Sequence, residues 1–599
     1  MTHSSPAPNP QSAKSSGSDK QSAKRPNVWT FLLLLPPVAA AILVGVTMRH
    51  FKLNETFFTN SAYYVLFVMF AVYAGVLVTG QDRALSVRQW LIENRVGVAL
   101  TATVATIVIL AVAPGYRVLA DEANLVGVSK NLFYQRTANF ATTGKWYFDN
   151  YWNINLTIDR RPALFPFLVS LLHTLRGYHP ENAFHVNAII FVLFVFSSYR
   201  LAKLVGGELF GAAAAILVAA HPNTMVAARS AGFDLLSSFM LLIVVKSFIE
   251  NANQSSPKRL AILSLHLCIL AHGRYDGWAL LLTAASVLFA FRMISRSQLH
   301  GYGLLYSFIP IFLLPRYWQA VAKAHDAEQP MSAALFSVSN FTHNALDYLK
   351  SALRPLDVSG AHAPLLIILA VLGLSLFLFD LAQQLRNKQL SLLTTKYIVF
   401  AAALFGLEMV IAFSYNWGRS LHPASARLFI WLDTSVAMLA AWFLTTLGRG
   451  LASPVSLLKR RSGAPVTILA SATLFAMHVP AASEARFINS LILTRQAKQT
   501  WDFFAKIGDK NILIMTDRPG LFTIMDYGSL DISTASVSRD PLLELSRHLY
   551  HDIYLIQEVD LNTHKLLPAF DVWNDVPLET MLEFQNTDSA SIRIARIKH

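Results

Sequence analysis

Long apolar stretches separated by short, polar and often basic loops dominate the chain from residue 28 to residue 482. Many of them are long enough to cross a ~30 Å hydrocarbon core as helices, so the pattern predicts about thirteen spanning helices. The fold class predicted is a polytopic α-helical membrane protein. The predicted helix cores are 28–48, 61–79, 96–114, 183–203, 208–222, 232–249, 260–272, 277–292, 302–318, 364–384, 397–415, 426–447 and 465–482.

Three of these cores, 208–222, 260–272 and 277–292, are short for a membrane crossing. They are interpreted as tilted pairs whose caps lie in the interface, with the alternative that one of them does not span.

The basic residues of the short loops predict the orientation. Residues 1–27, rich in Ser, Pro, Lys and Gln, are predicted to be a disordered cytoplasmic tail. With this tail inside, every predicted cytoplasmic loop is basic, and an odd number of crossings places the C-terminus outside. The loop residues that carry this argument include Arg83, Arg88, Arg95, Arg200, Lys203, Lys246, Lys258, Arg292, Arg386, Lys396, Arg449 and Lys459.

Composition agrees with a membrane protein, because 54% of the residues are hydrophobic and only 14% are charged. A soluble globular protein carries about a quarter charged residues. The net charge of +14 is explained by the loop residues rather than by binding of nucleic acid. A single cysteine, Cys268, excludes a disulfide within the chain and a cysteine metal cluster.

Three long segments are predicted outside: 115–182, 319–363 and the tail 483–599. In the first, the run from Ala163 to Leu175 is too short to span and is predicted to be an interfacial helix. Together, residues 28–482 form the predicted membrane domain, and 115–182 is its first large outer loop.

The tail is predicted to be a small extracytoplasmic α/β domain. Its buried strands are predicted at 512–515 and 553–556, an edge strand at 591–597 and a helix at 542–550. Such a domain either shields the membrane part or takes part in acceptor recognition. The turn Asp517 to Gly520 follows a predicted strand but is too weak a signal for a phosphate-binding loop.

The polar groups that stand out all lie at predicted outer helix ends, which suggests one site at that face. Asp121 and Glu122 follow the third predicted helix, where partial desolvation would make a carboxylate a better base. The alternative is a solvated pair or a helix cap. The remaining candidates for binding an anionic lipid head and an acceptor are Arg160, Arg161, His221, Arg229, Asp234, His272, Arg274, Tyr275, Asp276, His422 and Arg427.

Each candidate has a plainer interpretation. Arg160 and Arg161 are alternatively headgroup anchors, and Asp234 is alternatively the cap of an apolar helix. A hairpin turn explains the glycines of the break from His272 to Trp278 but not its charges, which are costly at membrane depth. A cation at Arg427, at the start of a helix, opposes the helix dipole unless an anion accompanies it.

The order of these elements resembles the GT-C superfamily of polyprenyl-phosphate-sugar glycosyltransferases, of the protein O-mannosyltransferase and aminoarabinose-transferase type. The resemblance rests on Asp121-Glu122 after a helix, on an Arg-Pro element from Arg161 to Pro166, on the helix pair closed by His221-Pro222, and on Arg274 to Gly277. Helices 28–48 and 61–79 precede the family's usual first helix, and the Trp-Trp-Asp signature of oligosaccharyltransferases is absent from the sequence.

The resemblance implies a GT-C-like fold and an inverting transfer of a hexosyl or pentosyl group from a polyprenyl-phosphate donor to a lipid, glycan or protein outside the cytoplasm. Asp121 would be the general base, Glu122 would assist, the arginines would bind the lipid phosphate, and His221 would hold an oxygen of the phosphate or acceptor. Some relatives use a divalent cation, but no ligand set in the sequence requires one, so activity without a bound metal or other cofactor is expected.

Two other functions stay open on the sequence. A transporter or lipid flippase would place charges near the bilayer midplane and often shows paired repeats. A non-catalytic scaffold would use the membrane part only to present the tail. The absence of outer cysteines favours a bacterial inner membrane as the location.

Overall fold

The structure is a computed structural model that describes most of the membrane part and most of the tail. The described residues are 51–78, 87–148, 150–159, 161–294, 336–353, 363–416, 418, 423–451, 463–483, 492–537, 539–561, 573, 575–585 and 590–598. The predicted tail 1–27 and the predicted helices 28–48 and 302–318 lie outside these residues.

Among the described residues, those from 51 to 294 are helical apart from one hairpin and the connecting turns. Its elements are α1 (Phe51–Val78), α2 (Val87–Glu93), α3 (Arg95–Ala111), α4 (Leu119–Tyr134), β1 (Phe140–Tyr147), β2 (Asn150–Thr157), α5 (Leu164–Arg176), α6 (Asn182–Gly206), α7 (Glu208–Ala220), α8 (Pro222–Ala227), α9 (Asp234–Asn253), α10 (Pro257–Gly273) and α11 (Gly277–Ala290).

In the second half, the described residues contain six further helices of the membrane part and then the elements of the tail. The helices are α12 (Val338–Leu353), α13 (Pro364–Arg386), α14 (Leu392–Ser414), α15 (Pro423–Ala426), which continues through a 3₁₀ turn (Arg427–Phe429) into α16 (Ile430–Leu451), and α17 (Gly463–Ser483). The tail contains α18 (Ile492–Ile507), β3 (Ile512–Thr516), α19 (Gly520–Thr523), β4 (Gly528–Asp531), α20 (Ile532–Val537), α21 (Arg539–Leu549), β5 (Asp552–Asp560), β6 (Leu578–Gln585) and β7 (Ala590–Ile597).

The polytopic membrane fold is confirmed, although the count of thirteen crossings is not. Among the described residues, seven helices are long and apolar enough to span a bilayer, and four more apolar helices are shorter. The short ones are α3, α5, α7 and α11. The predicted core 208–222 ends early, because the chain leaves the helix at His221 and Pro222 opens the separate helix α8. Proline lacks the N–H that would continue α7.

The segment 115–182, predicted to be the first outer loop, contains helices and a β-hairpin. The helix predicted at 163–175 is present as α5, whereas the antiparallel hairpin of β1 and β2 was not predicted. Its strands are rich in Thr, Asn, Trp and Tyr without a clear alternation of apolar and polar residues, so the sequence gives little strand signal there.

The tail folds around a five-stranded sheet with strand order β4-β3-β5-β7-β6. Strand β3 is parallel to β4 and β5, whereas β7 is antiparallel to β5 and β6. The predicted strands at 512–515 and 553–556 are present as β3 and β5. The prediction of an edge strand at 591–597 is wrong, because β7 lies between β5 and β6. The exposed edge is β6, whose residues are all partly or fully exposed.

A short segment of the tail, residues 523–527, is fixed to the first outer loop by hydrogen bonds. The ammonium of Lys130 on α4 donates to the carbonyl of Thr523 and to the carboxylate of Asp526, both at 2.6 Å. From the hairpin, the Trp146 indole donates to the Asp526 carbonyl at 2.6 Å and the Tyr151 hydroxyl donates to the Tyr527 carbonyl at 2.8 Å. Because Lys130 is buried, these bonds are costly to lose.

This contact leads to a prediction for the variant K130M. The change removes two charge-assisted hydrogen bonds and leaves Asp526 without its ammonium partner, so we expect stability to fall by about 2 kcal/mol. The measurement is the thermal unfolding midpoint of the full chain in detergent. K498M, which changes an exposed lysine of α18, is the matched control. Equal midpoints for the two variants would contradict the assigned contact.

Candidate active site

Asp121 is held between two arginines that come from distant parts of the chain. It lies in the first turn of α4, and its two carboxylate oxygens accept hydrogen bonds from Arg161 and Arg427 separately. Arg161 is fixed in turn by Asp159, whose oxygens lie 2.9 and 2.8 Å from the same guanidinium nitrogen. Arg427 opens the 3₁₀ turn before α16. The site therefore joins the first outer loop to one of the last membrane helices.

The two guanidinium groups also set the acidity of Asp121. Burial raises the pKa of this carboxyl, but the charges of Arg161 and Arg427 outweigh burial, so that the pKa lies below its usual value. In this state Asp121 is ionised and is a weak base, because both of its oxygens are occupied.

Glu122 points into the protein and has a different environment. Its side chain is fully buried, and one oxygen accepts hydrogen bonds from the backbone N–H groups of Arg117 at 2.9 Å and Ala231 at 3.1 Å. Burial raises the pKa of Glu122 to about 7, although these N–H groups act in the opposite direction. Glu122 therefore connects the start of α4 to the turn before α9 and is protonated through much of the mildly acidic range.

Asp234 extends the cluster on the side of Arg427. The Nε atom of Arg427 lies 3.6 Å from an oxygen of Asp234, which is buried in the first turn of α9. A second buried group consists of Asn223, Asp433 and His221. Asn223 donates to the Asp433 carboxylate at 2.6 Å, and His221 Nδ1 lies 3.5 Å from the same carboxylate. The end of α7 and the start of α16 thus meet at a chain of polar groups.

Arg274 forms the third charged group, in the turn between α10 and α11. Its guanidinium lies 3.2 Å from Asp276 and 3.9 Å from Glu408, and all three side chains are buried. Glu408 comes from the apolar helix α14. Tyr275 packs edge-on against Phe233 at a ring distance of 5.9 Å. Buried charges are stable only when paired, and Arg274 is paired with Asp276.

The structure thus brings some of the predicted candidates together. Asp121, Arg161, Asp234 and Arg427 share direct contacts, whereas Arg274 and Asp276 form their own pair. His272 is buried at the end of α10. Arg229 bonds elsewhere, because its Nε donates to the Val112 carbonyl at 3.1 Å. Arg160 and His422 lie outside the described residues.

Several partners in the site were not predicted. Asp159 stands just before the Arg-Pro element, so its position was a usable signal. Glu408 is an isolated acid inside an apolar helix, which is itself a signal of function or pairing. Asn223 and Asp433 meet across 210 positions of sequence, and nothing local indicates that contact.

Within the described ranges, no group of three or more His, Cys, Asp or Glu side chains is arranged to hold a metal ion. Activity without a divalent cation stays a prediction. Loss of activity on chelation would contradict the expectation of metal independence.

Comparison with solved structures shows that the membrane helices have a GT-C-like fold. The structure of ArnT from Cupriavidus metallidurans in the apo state matches with a TM-score of 0.53 and 12% identity, over 83% of this chain and 97% of that one. ArnT bound to undecaprenyl phosphate matches with a TM-score of 0.50 and 12% identity, over 85% and 98%.

A weaker match is the oligosaccharyltransferase AglB from Archaeoglobus fulgidus in complex with an inhibitory peptide and a dolichol phosphate. It has a TM-score of 0.44 and 10% identity, over 78% of this chain and 70% of that one. The sequence matches no protein-family model and no curated protein. At these identities the likeness establishes the fold, and the GT-C resemblance seen in the sequence is confirmed at that level.

The buried Glu122 predicts a pH dependence of stability. Its pKa is about 7 when folded and close to 4.5 when unfolded. Between these values the folded chain binds more protons, so the free energy of unfolding falls as pH rises from 5 to 7 and then levels off. Glu122 contributes about 3 kcal/mol of this fall at most.

In E122Q this contribution is absent, so the thermal unfolding midpoint should change less between pH 5 and pH 7 than in the wild type. E544Q, an exposed acid of α21, is the control and should follow the wild type. An E122Q profile parallel to that of E544Q would show that Glu122 is ionised throughout.

Proposed function

We propose that this chain is a membrane glycosyltransferase that moves a sugar from a polyprenyl-phosphate donor to an acceptor outside the cytoplasm, with Asp121 as general base. The proposal rests on the two salt bridges that Asp121 forms with Arg161 and Arg427. A carboxylate bridged by two guanidinium groups is a site where a phosphate can replace the carboxylate, since both anions accept paired N–H donors.

The proposed reaction is a single displacement. The acceptor oxygen attacks the anomeric carbon, its proton passes to Asp121, and the bond between the anomeric carbon and the phosphate oxygen breaks. The polyprenyl phosphate leaves with the additional negative charge, which Arg161 and Arg427 stabilise. Attack on the face opposite to the leaving group inverts the configuration of the sugar.

Binding of the donor would prepare the base for this step. When the donor phosphate draws the two guanidinium groups away from Asp121, the influence that lowers the pKa of Asp121 weakens, while its burial persists. The carboxylate then has free oxygens to accept the acceptor proton. The base would thus become effective only in the presence of donor, which limits side reactions with water.

The third charged group, around Arg274, has a supporting role in this proposal. Arg274, held by Asp276 and Glu408, is a further cation for the phosphate or the sugar. His221 is placed to hold an acceptor or phosphate oxygen through its link to Asp433. Arg160, Arg229, His272, Tyr275 and His422 stay candidates for substrate binding.

The likeness to ArnT supports the donor class, because one of the ArnT structures contains undecaprenyl phosphate. We place the chain in the inner membrane of a bacterium, with the N-terminus in the cytoplasm and the tail outside. The transporter alternative is not favoured, since Asp121, Asp234 and Arg427 gather at the starts of helices.

The test of the proposal is the variant D121N. Loss of the base should lower the rate of sugar transfer from a polyprenyl-phosphate sugar by about 100-fold or more. Purified enzyme is assayed with donor lipid and envelope glycans from a strain that lacks the chain. D575N is the matched control, because Asp575 also pairs with an arginine, Arg539, but on the exposed surface of the tail.

A D121N enzyme as active as D575N would contradict the role of Asp121. A wild-type enzyme that transfers no sugar, but moves the lipid across vesicle membranes unchanged, would replace the proposal with the transporter.

A further inference from the structure

A cavity of about 380 Å³ lies between the start of α4, the hairpin and the tail. It begins at Ala123 and Asn124, directly after the acidic pair, and its far wall is the turn from Asp517 to Leu521. The turn approaches closely, because a Cβ added to Gly520 would lie 3.1 Å from the side-chain oxygen of Asn124. The volume falls within the ~300–1,000 Å³ range of small-ligand sites.

The tail presents this cavity at the end of its sheet where ligands usually bind. Strands β3 and β4 are parallel, and Asp517 follows the first while Asp531 ends the second. In open α/β sheets, ligands bind outside the carboxyl ends of the strands. The sheet thus directs two carboxylates towards the membrane part, beside α4.

The lining chemistry suits a sugar rather than a phosphate. Its polar wall consists of the carboxylates of Asp517 and Asp531, the amide of Asn124 and the hydroxyls of Thr142, Thr143 and Thr534. Carboxylates accept hydrogen bonds from sugar hydroxyls and repel phosphate. Arg518 lies 3.1 Å from Asp517, so these two charges offset each other and Asp531 leaves the lining with a net negative charge.

The cavity also has an apolar side, formed by Phe140, Leu521 and Leu530. A pyranose ring has one face of C–H groups that packs against such a surface, while its hydroxyls point to the rim. An apolar surface with a few convergent polar groups is the usual composition of a specific small-ligand site.

The position relative to the base connects the cavity to the reaction. Asp121 and Asn124 are three residues apart on α4, so they lie on the same side of the helix with their Cβ atoms about 5–6 Å apart. A ring held against Asn124 can therefore extend a hydroxyl to Asp121, while the lipid phosphate occupies the arginines.

We propose that this cavity is the acceptor subsite and that it binds a sugar residue of a glycan-containing acceptor. The proposal rests on the proposed function, and it selects a glycan among the acceptor classes. The tail then takes part in substrate recognition in addition to covering the membrane part.

The experiment measures initial rates of sugar transfer against the concentration of envelope glycan extracted from a strain lacking the chain. In T534W, an indole at the exposed rim fills the cavity, and the KM for this glycan should rise at least tenfold while the KM for the donor lipid is unchanged. V537W places the same group one turn further along α20, at a side chain that is 87% exposed, and should behave as the wild type.

A second variant guards against a folding defect in T534W. D531N keeps the oxygen that caps α20 through the backbone N–H groups of Ser533 and Thr534. It removes only the charge, so it should raise the glycan KM severalfold at an unchanged unfolding midpoint.

Equal glycan KM values for T534W, D531N and V537W would overturn the subsite, and so would a rise in the donor KM of the same size. If the wild-type chain transferred no sugar at all, the proposed function itself would fail, and the subsite with it.

Discussion

The bridge from Arg161 through Asp121 to Arg427 is the interaction on which the account depends. It joins the segment before α5 to the start of α16, and it is the centre of a chain of ion pairs that begins at Asp159 and ends at Asp234. An isolated charge in this setting would be strongly destabilising, whereas a carboxylate between two guanidinium groups is satisfied. The same pairing engages both carboxylate oxygens of Asp121.

Glu122 and Asp121 show how adjacent residues acquire different properties from their surroundings. Asp121 faces two cations, and its pKa lies below the usual value. Glu122, one position further along the helix, points into the protein, where burial raises its pKa. We infer that the two residues have different roles. Glu122 connects the start of α4 to the turn before α9, and Asp121 faces the reactants. The resemblance from sequence had assigned Glu122 an assisting role in the chemistry.

The length of the apolar stretches was sufficient to predict the membrane class and most helices that the structure describes, because a bilayer requires helices of a certain length and composition. The common location of Asp121, Arg161 and Arg427 also followed from topology, because loop charges determine which helix ends share a side. The individual contacts between these side chains could not be predicted from the sequence. Asp433 meets Asn223 only through tertiary packing, and the position of β7 inside the sheet depends on β6, whose pattern is not decisive. The cavity unites residues from 123 to 534, so no local pattern could indicate it.

The most direct measurement is the affinity of the purified chain for a polyprenyl phosphate that carries no sugar, compared between the wild type, D121N and R427M. If phosphate and Asp121 compete for the same arginines, D121N binds the lipid more tightly than the wild type, because the internal competitor has lost its charge. R427M binds it more weakly, because a donor group is gone. Unchanged or weaker binding by D121N, or unchanged binding by R427M, would contradict the exchange of anions at this bridge.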